Sequence, residues 1–260
     1  MSSKKITLRT IIKNIRKQKQ NKYYLSHDLN FINNSNLKYF NKNILDYNLE
    51  KENNLLLNIL LKAPINSSFL DIGGFTGDTS IYLAKELKKN NRNDIQIIIF
   101  EPSVENCNII KSNICNLNLN IVIHNYALSN KEQKLYMKKN EGPGTMYDTC
   151  FKENNTNNII INSKTLDSFN LSNVYLMKID VEGHEPEVLE GSKNTLEQTK
   201  ILYVEMWNDN HFKERHPLKK DGSHNLRIIN NIPLTFYPIQ KIEKNILFSK
   251  LNDNNELYFS

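Results

Sequence analysis

The sequence predicts an α/β fold in which helices flank a mostly parallel sheet of seven strands. Short apolar runs alternate with segments of helical periodicity, a pattern that is typical of βαβ units. A glycine-rich turn, FLDIGGFTG (Phe69–Gly77), includes the end of the first of these runs. An acidic stretch, KIDVEGHE (Lys178–Glu185), includes the end of a later run. Both stretches lie where a predicted strand ends, which is where open α/β folds bind their ligands.

The individual elements follow from hydrophobic periodicity and from the turn residues between the periodic segments. The predicted strands are 67–72, 95–101, 119–125, 173–179, 200–206, 233–239 and 245–250. The predicted helices are 49–61, 77–89, 103–116, 185–197 and 223–230. A hairpin-like insert (134–138 and 159–162) lies between the third and fourth strands of the main sheet.

Positive charge is concentrated at the N-terminus. Residues 1–22 contain eight Lys and Arg and no acidic residue, whereas the rest of the chain has 26 basic and 28 acidic residues, a net charge of −2. The sequence therefore predicts a basic N-terminal extension (1–48) and a near-neutral catalytic domain (49–260). A near-neutral domain does not suggest a surface that binds duplex nucleic acid.

Residues 4–20 have the periodicity of a basic amphipathic helix, with apolar residues at i, i+3, i+4 and i+7 (Leu8, Ile11, Ile12 and Ile15). Such a helix either packs on the domain or attaches to a membrane surface or an anionic partner. A disordered tail is the third interpretation, and the sequence does not decide among the three.

Cysteine content and hydropathy indicate the compartment. Three cysteines without a C-x-x-C pair argue against a disulfide framework or a structural zinc site. No apolar run approaches the length of a membrane-spanning helix, and no apolar core follows the basic N-terminus as it would in a secretory signal. These features predict a cytoplasmic protein.

The glycine-rich turn predicts a cofactor site. Gly73, Gly74 and Gly77 allow the backbone to turn sharply and to approach a ligand, and the next helix N-terminus adds N–H donors. The spacing is D-x-G-G-x-x-G, not the G-x-G-x-x-G of dinucleotide sites. Asp71 would repel a pyrophosphate but suits a cationic amino-acid group. S-adenosylmethionine has such a group.

Two further segments extend this prediction. Glu101 ends the second strand, where an acid can accept hydrogen bonds from the hydroxyls of a ribose. The alternative role for Glu101 is a helix cap before Pro102. Asn125 and Ala127, after the third strand, are the candidates for contact with adenine, and a purely structural loop is the alternative there.

Six motifs follow one another along residues 49–207: the LDIGG-F-TG turn, FEPS, NYALS, KTLDSF (Lys164–Phe169), KIDVEGHEPEVLEGS (Lys178–Ser192) and ILYVEMW (Ile201–Trp207). In these motifs the chain resembles the FkbM family of S-adenosylmethionine-dependent O-methyltransferases. The resemblance implies a Rossmann-like class I methyltransferase fold. One departure is Gly74-Phe75, where the family usually has Ala-Asn. Phe75 has no side-chain amide, which puts one cofactor contact in question.

The acidic stretch predicts the reaction site. A hydroxyl that accepts a methyl group must lose its proton, to a side-chain base or through metal coordination. Asp180 and His184 are the candidate bases, with Lys178 and Glu182 beside them. Asp180, Glu182 and Glu205 are the candidate ligands for Mg²⁺ or a similar cation. His184 can instead be structural, Glu185 and Glu187 are expected to stabilise the helix N-terminus, and Asp167 is expected to fix a turn.

The sequence leaves three functions open. The first, which the resemblance implies, is O-methylation of a hydroxyl in a sugar or glycoconjugate. The second is 2′-O-methylation of RNA ribose, with the basic N-terminus as an electrostatic anchor. The third is a non-catalytic module that binds the cofactor. The oligomeric state is not predicted.

Overall fold

The computed structural model describes residues 49–138, 158–206, 224–242, 245–254 and 256–258. The predicted helix at 4–20 lies outside them. The chain divides into two units, Met1–Asp46 and Tyr47–Ser260, and every described residue belongs to the second.

The helices and strands of the described residues alternate as expected. The helices are α1 (Leu49–Leu61), α2 (Asp78–Lys89), α3 (Val104–Ile114), α4 (Glu185–Glu190), α5 (Lys193–Gln198) and α6 (His224–Asn231). The strands are β1 (Ser68–Ile72), β2 (Gln96–Phe100), β3 (Ile121–His124), β4 (Ala127–Leu128), β5 (Gln133–Lys138), β6 (Asn158–Lys164), β7 (Val174–Ile179), β8 (Ile201–Glu205), β9 (Tyr237–Ile242) and β10 (Asn245–Ser249).

The main sheet has seven strands in the order β3-β2-β1-β7-β8-β10-β9. The β3, β2, β1, β7 and β8 pairings are parallel, and β10 is antiparallel to both of its neighbours. The predicted mostly parallel, seven-stranded α/β fold is therefore confirmed. Because β1, β2, β7 and β8 run parallel, their carboxyl ends lie on one edge of the sheet.

A second sheet of three strands has the order β4-β6-β5. The antiparallel β5–β6 pair is the predicted hairpin-like insert. The sequence analysis missed β4, which is two residues long and pairs in parallel with β6. A strand this short has too few residues to show a period.

The core forms where α1 and α2 pack against the central strands. Leu56, Ile59 and Leu60 of α1 are fully buried against β1, β2 and β7 residues such as Phe69 and Leu176. The central strands are buried on both faces, and their near-continuous Ile, Leu and Val runs explain why they were predictable.

The predicted helix at 185–197 is wrong in one respect, because it breaks into α4 and α5. A Cβ on Gly191 would lie 2.0 Å from the Ser129 carbonyl oxygen, so glycine is required there. Asp167 then caps the new helix: its Oδ2 accepts from the Asn194 N–H (3.0 Å) and its Oδ1 from the Thr195 N–H (2.8 Å). The structural role expected for Asp167 is thus a long-range helix cap.

The strand predicted at 233–239 begins later, at Tyr237. Pro233 opens a turn instead, closed by the Phe236 N–H donating to the Pro233 carbonyl at 3.1 Å. Proline has no N–H to donate to a sheet, which disfavours a strand start at this position.

Candidate active site

The glycine turn after β1 adopts a conformation that requires glycine. Gly73 and Gly77 have φ of 88° and 84°, in the left-handed region. The N–H groups of Gly73 and Gly74 donate to the Phe100 carbonyl at 2.9 and 3.3 Å. A Cβ on Gly73 would lie 1.9 Å from the Asp180 carbonyl oxygen. The turn therefore contacts the backbone of the acidic stretch directly.

Phe75 stands in this turn with a φ of 48°. This is an uncommon conformation for a bulky residue and a tolerated one for asparagine, the residue that the FkbM family usually has here. The Phe75 backbone N–H donates to Glu101 Oε2 at 2.9 Å. The turn is thereby tied to the end of β2.

Glu101 is fully buried. Besides the Phe75 contact, its Oε1 accepts from the Ser103 N–H (2.9 Å) and from Asn106 Nδ2 (3.2 Å). Burial raises the pKa of Glu101 to about 7, although these hydrogen bonds act in the opposite direction. A carboxylate accepts about four hydrogen bonds, so capacity for a ribose hydroxyl remains at Oε2. A ligand reaches Glu101 only if the contacts around it open.

Asp71 is also buried, beneath the turn. Its Oδ2 accepts from Ser80 Oγ at 2.6 Å, and its Oδ1 lies 3.8 Å from Lys178 Nζ. The carboxylate of Asp71 thus joins β1 to α2 through Ser80 and lies near Lys178 of β7, beneath the glycine turn.

A cleft of about 490 Å³, open solvent included, lies between this edge of the main sheet and the three-stranded sheet. Of the predicted cofactor residues, Gly73 and Ala127 line it. Asn125 instead donates from Nδ2 to the carbonyls of Glu101 and Pro102, both at 2.9 Å, and so fixes the loop after β2. The lining is mostly apolar or aromatic. It consists of Ile72, Gly73, Pro102, Tyr126, Ala127, Leu128, Leu135, Tyr136, Met137, Ile161, Val181 and His184.

Three carboxylates converge at the end of β7 and β8. Asp180, Glu182 and Glu205 each place one oxygen within 4.8 Å of the others. Glu205 is fully buried, whereas Asp180 and Glu182 are partly exposed. Glu182 has a φ of 53°, in the left-handed region. Non-glycine residues in this region are uncommon and cluster at functional sites. This acidic cluster (Asp180, Glu182 and Glu205) has the oxygen ligands that a hard divalent cation prefers.

Lys178 is the buried cation beside the cluster. Its Nζ lies 3.0 Å from Asp180 Oδ2. Burial acts to lower the pKa of Lys178, but the carboxylates of Asp180, Asp71 and Glu52 together raise it above its ordinary value. Lys178 is therefore charged, and it links Asp71 beneath the glycine turn to Asp180 in the acidic cluster.

His184 lies apart from these carboxylates, on the wall of the cleft. Its Nε2 is 3.0 Å from the Oγ of the buried Ser129, and its Nδ1 is 3.5 Å from Glu187 Oε2. Both ring nitrogens thus face protein groups, which favours the structural alternative for His184 over the role of base.

Some residues near the site could not be found from the motifs. Glu52, in α1, is buried and acts electrostatically on Lys178. The sequence indicates Glu52 only through its position, four residues before Leu56 and therefore on the same, buried face of the helix. Ser80 had no comparable signal, and Ser129 belongs to the NYALS motif, which did not indicate its contact with His184.

The fold and this edge define a class of protein, the methyltransferases that bind a nucleoside cofactor at the carboxyl ends of parallel strands. The family model of the methyltransferase FkbM domain matches residues 71–229, more than half of the chain. The chain belongs to the FkbM methyltransferase family. This membership supports S-adenosylmethionine as the cofactor.

Solved structures with similar folds include a methyltransferase FkbM from Methylobacillus flagellatus KT (14% identity, TM-score 0.47, 81% of this chain and 46% of that chain). Others are an S-adenosylmethionine-dependent O-methyltransferase from Thermotoga maritima (12%, 0.43, 81% and 69%) and an rRNA methylase from Streptococcus thermophilus (9%, 0.45, 80% and 99%). The chain spans about half the length of the first of these. A comparison of the present chain with curated proteins found no significant match. Among the described residues, no helix is both long and apolar enough to span a membrane.

Proposed function

We propose that the protein is an O-methyltransferase that moves the methyl group of S-adenosylmethionine to a hydroxyl, most plausibly in a sugar or glycoconjugate. The observation that carries the proposal is the contact between the glycine turn and the acidic cluster, at Gly73 and the Asp180 carbonyl. A cofactor on the turn and a hydroxyl above the carboxylates would be neighbours there.

The cleft supports a position for the cofactor. The apolar and aromatic groups of Pro102, Tyr126 and Ala127 suit an adenine ring. Glu101, directly before Pro102, can then accept from the ribose at Oε2 once the contacts around this buried carboxylate open. The methionine end of the cofactor would lie on the turn at Gly73 and Gly77.

Proton removal is the chemical task of the acidic cluster. When bound, S-adenosylmethionine supplies an electrophilic methyl group on its sulfonium sulfur. The attacking hydroxyl must lose its proton, and a positioned carboxylate can accept it. Asp180 is our candidate because its side chain is 26% exposed and held by Lys178, whereas Glu205 is buried.

A divalent cation is the alternative means of activating the hydroxyl. Carboxylates this close together repel one another, and they are relieved by taking up a proton or by binding a cation. The same three oxygens would then hold Mg²⁺ or a similar ion. Dependence on metal distinguishes the two mechanisms.

The proposed acceptor follows from the family resemblance and from the near-neutral charge of the domain, −2 without residues 1–22. RNA ribose is the second candidate, with the eight basic residues of the N-terminus as the contact to phosphates. A cytoplasmic location is part of the same proposal.

The test is transfer from labelled S-adenosylmethionine to a panel of glycans and RNAs, with and without a chelator. We expect labelled glycan, and a loss of about 10²–10⁴-fold in kcat for Asp180→Asn. The matched control is Asp253→Asn, at an exposed position away from the site. Labelling of RNA alone favours the ribose alternative, and cofactor binding without any transfer favours the non-catalytic module. Activity that a chelator abolishes and Mg²⁺ restores assigns the cluster to a metal.

A further inference from the structure

The turn that presents the acidic cluster is held in an unusual conformation. Glu182 and Gly183 both have positive φ, 53° and 103°. A left-handed conformation is unfavourable for a non-glycine residue, so contacts from the surrounding structure must fix this turn.

Glu185 supplies these contacts. Its Oε1 accepts hydrogen bonds from the backbone N–H groups of Val181 (3.1 Å) and Gly183 (3.0 Å), the residues on either side of Glu182. Its side chain is fully buried. Glu185 was expected to stabilise the helix N-terminus, and the structure shows that it also closes the turn before that helix.

The other oxygen of Glu185 is held from a different helix. Glu185 Oε2 lies 3.0 Å from Nε2 of His224, the first residue of α6. His224 is 5% exposed. Glu185 therefore connects α6 to the turn, because His224 contacts its Oε2 and its Oε1 accepts from the Val181 and Gly183 amides.

A second side chain on α6 makes a useful contrast. Arg227 pairs with Glu187 Oε1 at 2.8 Å and with Glu190 Oε1 at 3.0 Å. These ion pairs hold α6 to α4 at residues outside the Val181–Gly183 turn. Arg227 therefore serves as the comparison for docking of the helix, and His224 for the contact that reaches the turn through Glu185.

We propose that His224 is a positioning residue for methyl transfer, which acts through Glu185 to set the Val181–Gly183 turn and with it Asp180 and Glu182. This role rests on the proposed function of the acidic cluster. Among the described residues, His224 is not part of the cleft lining, and its effect is conformational, through Glu185.

The test is amide hydrogen exchange at Val181 and Gly183, measured by NMR without cofactor or acceptor. His224→Gln keeps a donor at a similar reach, whereas the side chain of His224→Asn is too short. Without the His224 contact the Glu185 carboxylate is less firmly held, so its hydrogen bonds to both amides should weaken and their exchange should rise about tenfold in His224→Asn. Exchange in His224→Gln and in the control Arg227→Gln should stay near that of the wild type.

Turnover with labelled S-adenosylmethionine should follow the same order, with kcat reduced in His224→Asn and the Kd for S-adenosylmethionine unchanged. Unchanged exchange in His224→Asn, or an equal rise in Arg227→Gln, would overturn the proposal. Because exchange needs no acceptor, a failure of the proposed function leaves this result interpretable. If His224→Asn does not fold, His224→Leu, which fills the same space without a polar group, takes its place in the same comparison.

Discussion

Glu101 should give cofactor binding a dependence on pH. Its pKa in the free protein is raised to about 7 by burial. Ribose hydroxyls donate hydrogen bonds and therefore favour the ionised carboxylate, so binding should lower this pKa and release a proton. Affinity for S-adenosylmethionine should then rise with pH, with Kd about tenfold lower at pH 8 than at pH 6. Calorimetry in buffers of different ionisation enthalpy measures both the Kd and the proton release.

The control for this prediction is Glu101→Gln, which cannot ionise and should bind the cofactor with little dependence on pH over this range. A wild-type Kd that stays constant from pH 6 to pH 8 would argue against contact between Glu101 and the ribose.

Phe75 should be a site where substitution stabilises the protein. Its φ of 48° suits asparagine better than phenylalanine. Phe75→Asn should raise the free energy of unfolding by about 0.5–1 kcal/mol, a rise in Tm of roughly 1–4 °C. Phe75→Ala removes the ring but keeps the backbone strain, so it should not stabilise. Thermal unfolding followed by circular dichroism compares the three, and equal Tm for Asn and Ala would contradict the argument.

Proximity within the acidic cluster could be predicted from sequence because Asp180 follows β7 and Glu205 ends β8, and these two parallel strands are neighbours. The contacts of Ser129 with His184 and of Glu52 with Lys178 could not. They join residues that are distant along the chain, and tertiary packing alone brings them together. Phe75 illustrates another limit, since the sequence showed a missing side-chain amide but not the backbone hydrogen bond to Glu101.

At the scale of elements, Asp167 connects the motif TLDSF to α5. Asp167→Ala should cost about 1–2 kcal/mol of stability, because it leaves the Asn194 and Thr195 amides without their cap. Cofactor affinity should not change, as Asp167 does not line the cleft. Urea unfolding and calorimetry measure the two effects. A large loss of affinity at full stability would instead place Asp167 in the binding site.

The elements that the sequence predicted best are β1, β2 and β7, whose apolar runs are buried on both faces. The break between α4 and α5 could not be predicted from periodicity, because it arises from the close approach of the Ser129 carbonyl to Gly191. The late start of β9 was in principle predictable from Pro233.

At the scale of the whole molecule, the basic N-terminus should be dispensable for the chemistry. Deletion of residues 1–22 removes eight positive charges that lie outside every motif. Turnover on a small soluble acceptor should stay nearly unchanged, while salt-sensitive attachment to anionic lipid or RNA should be lost. Sedimentation with anionic vesicles at low and high salt measures the attachment. Loss of folding on deletion would show that Leu8, Ile11, Ile12 and Ile15 pack on the domain.

The cofactor is expected to lie along the carboxyl edge of β1 and β2, beside the acidic cluster, and a crystal structure with S-adenosylhomocysteine would show whether it does. We expect adenine between Pro102 and Ala127, ribose oxygens about 2.5–3.0 Å from Glu101, and the sulfur on the side of Gly73 that faces Asp180. A ligand bound elsewhere, or bound here while Glu101 keeps its contacts to Phe75 and Asn106 and touches no ribose, would contradict it.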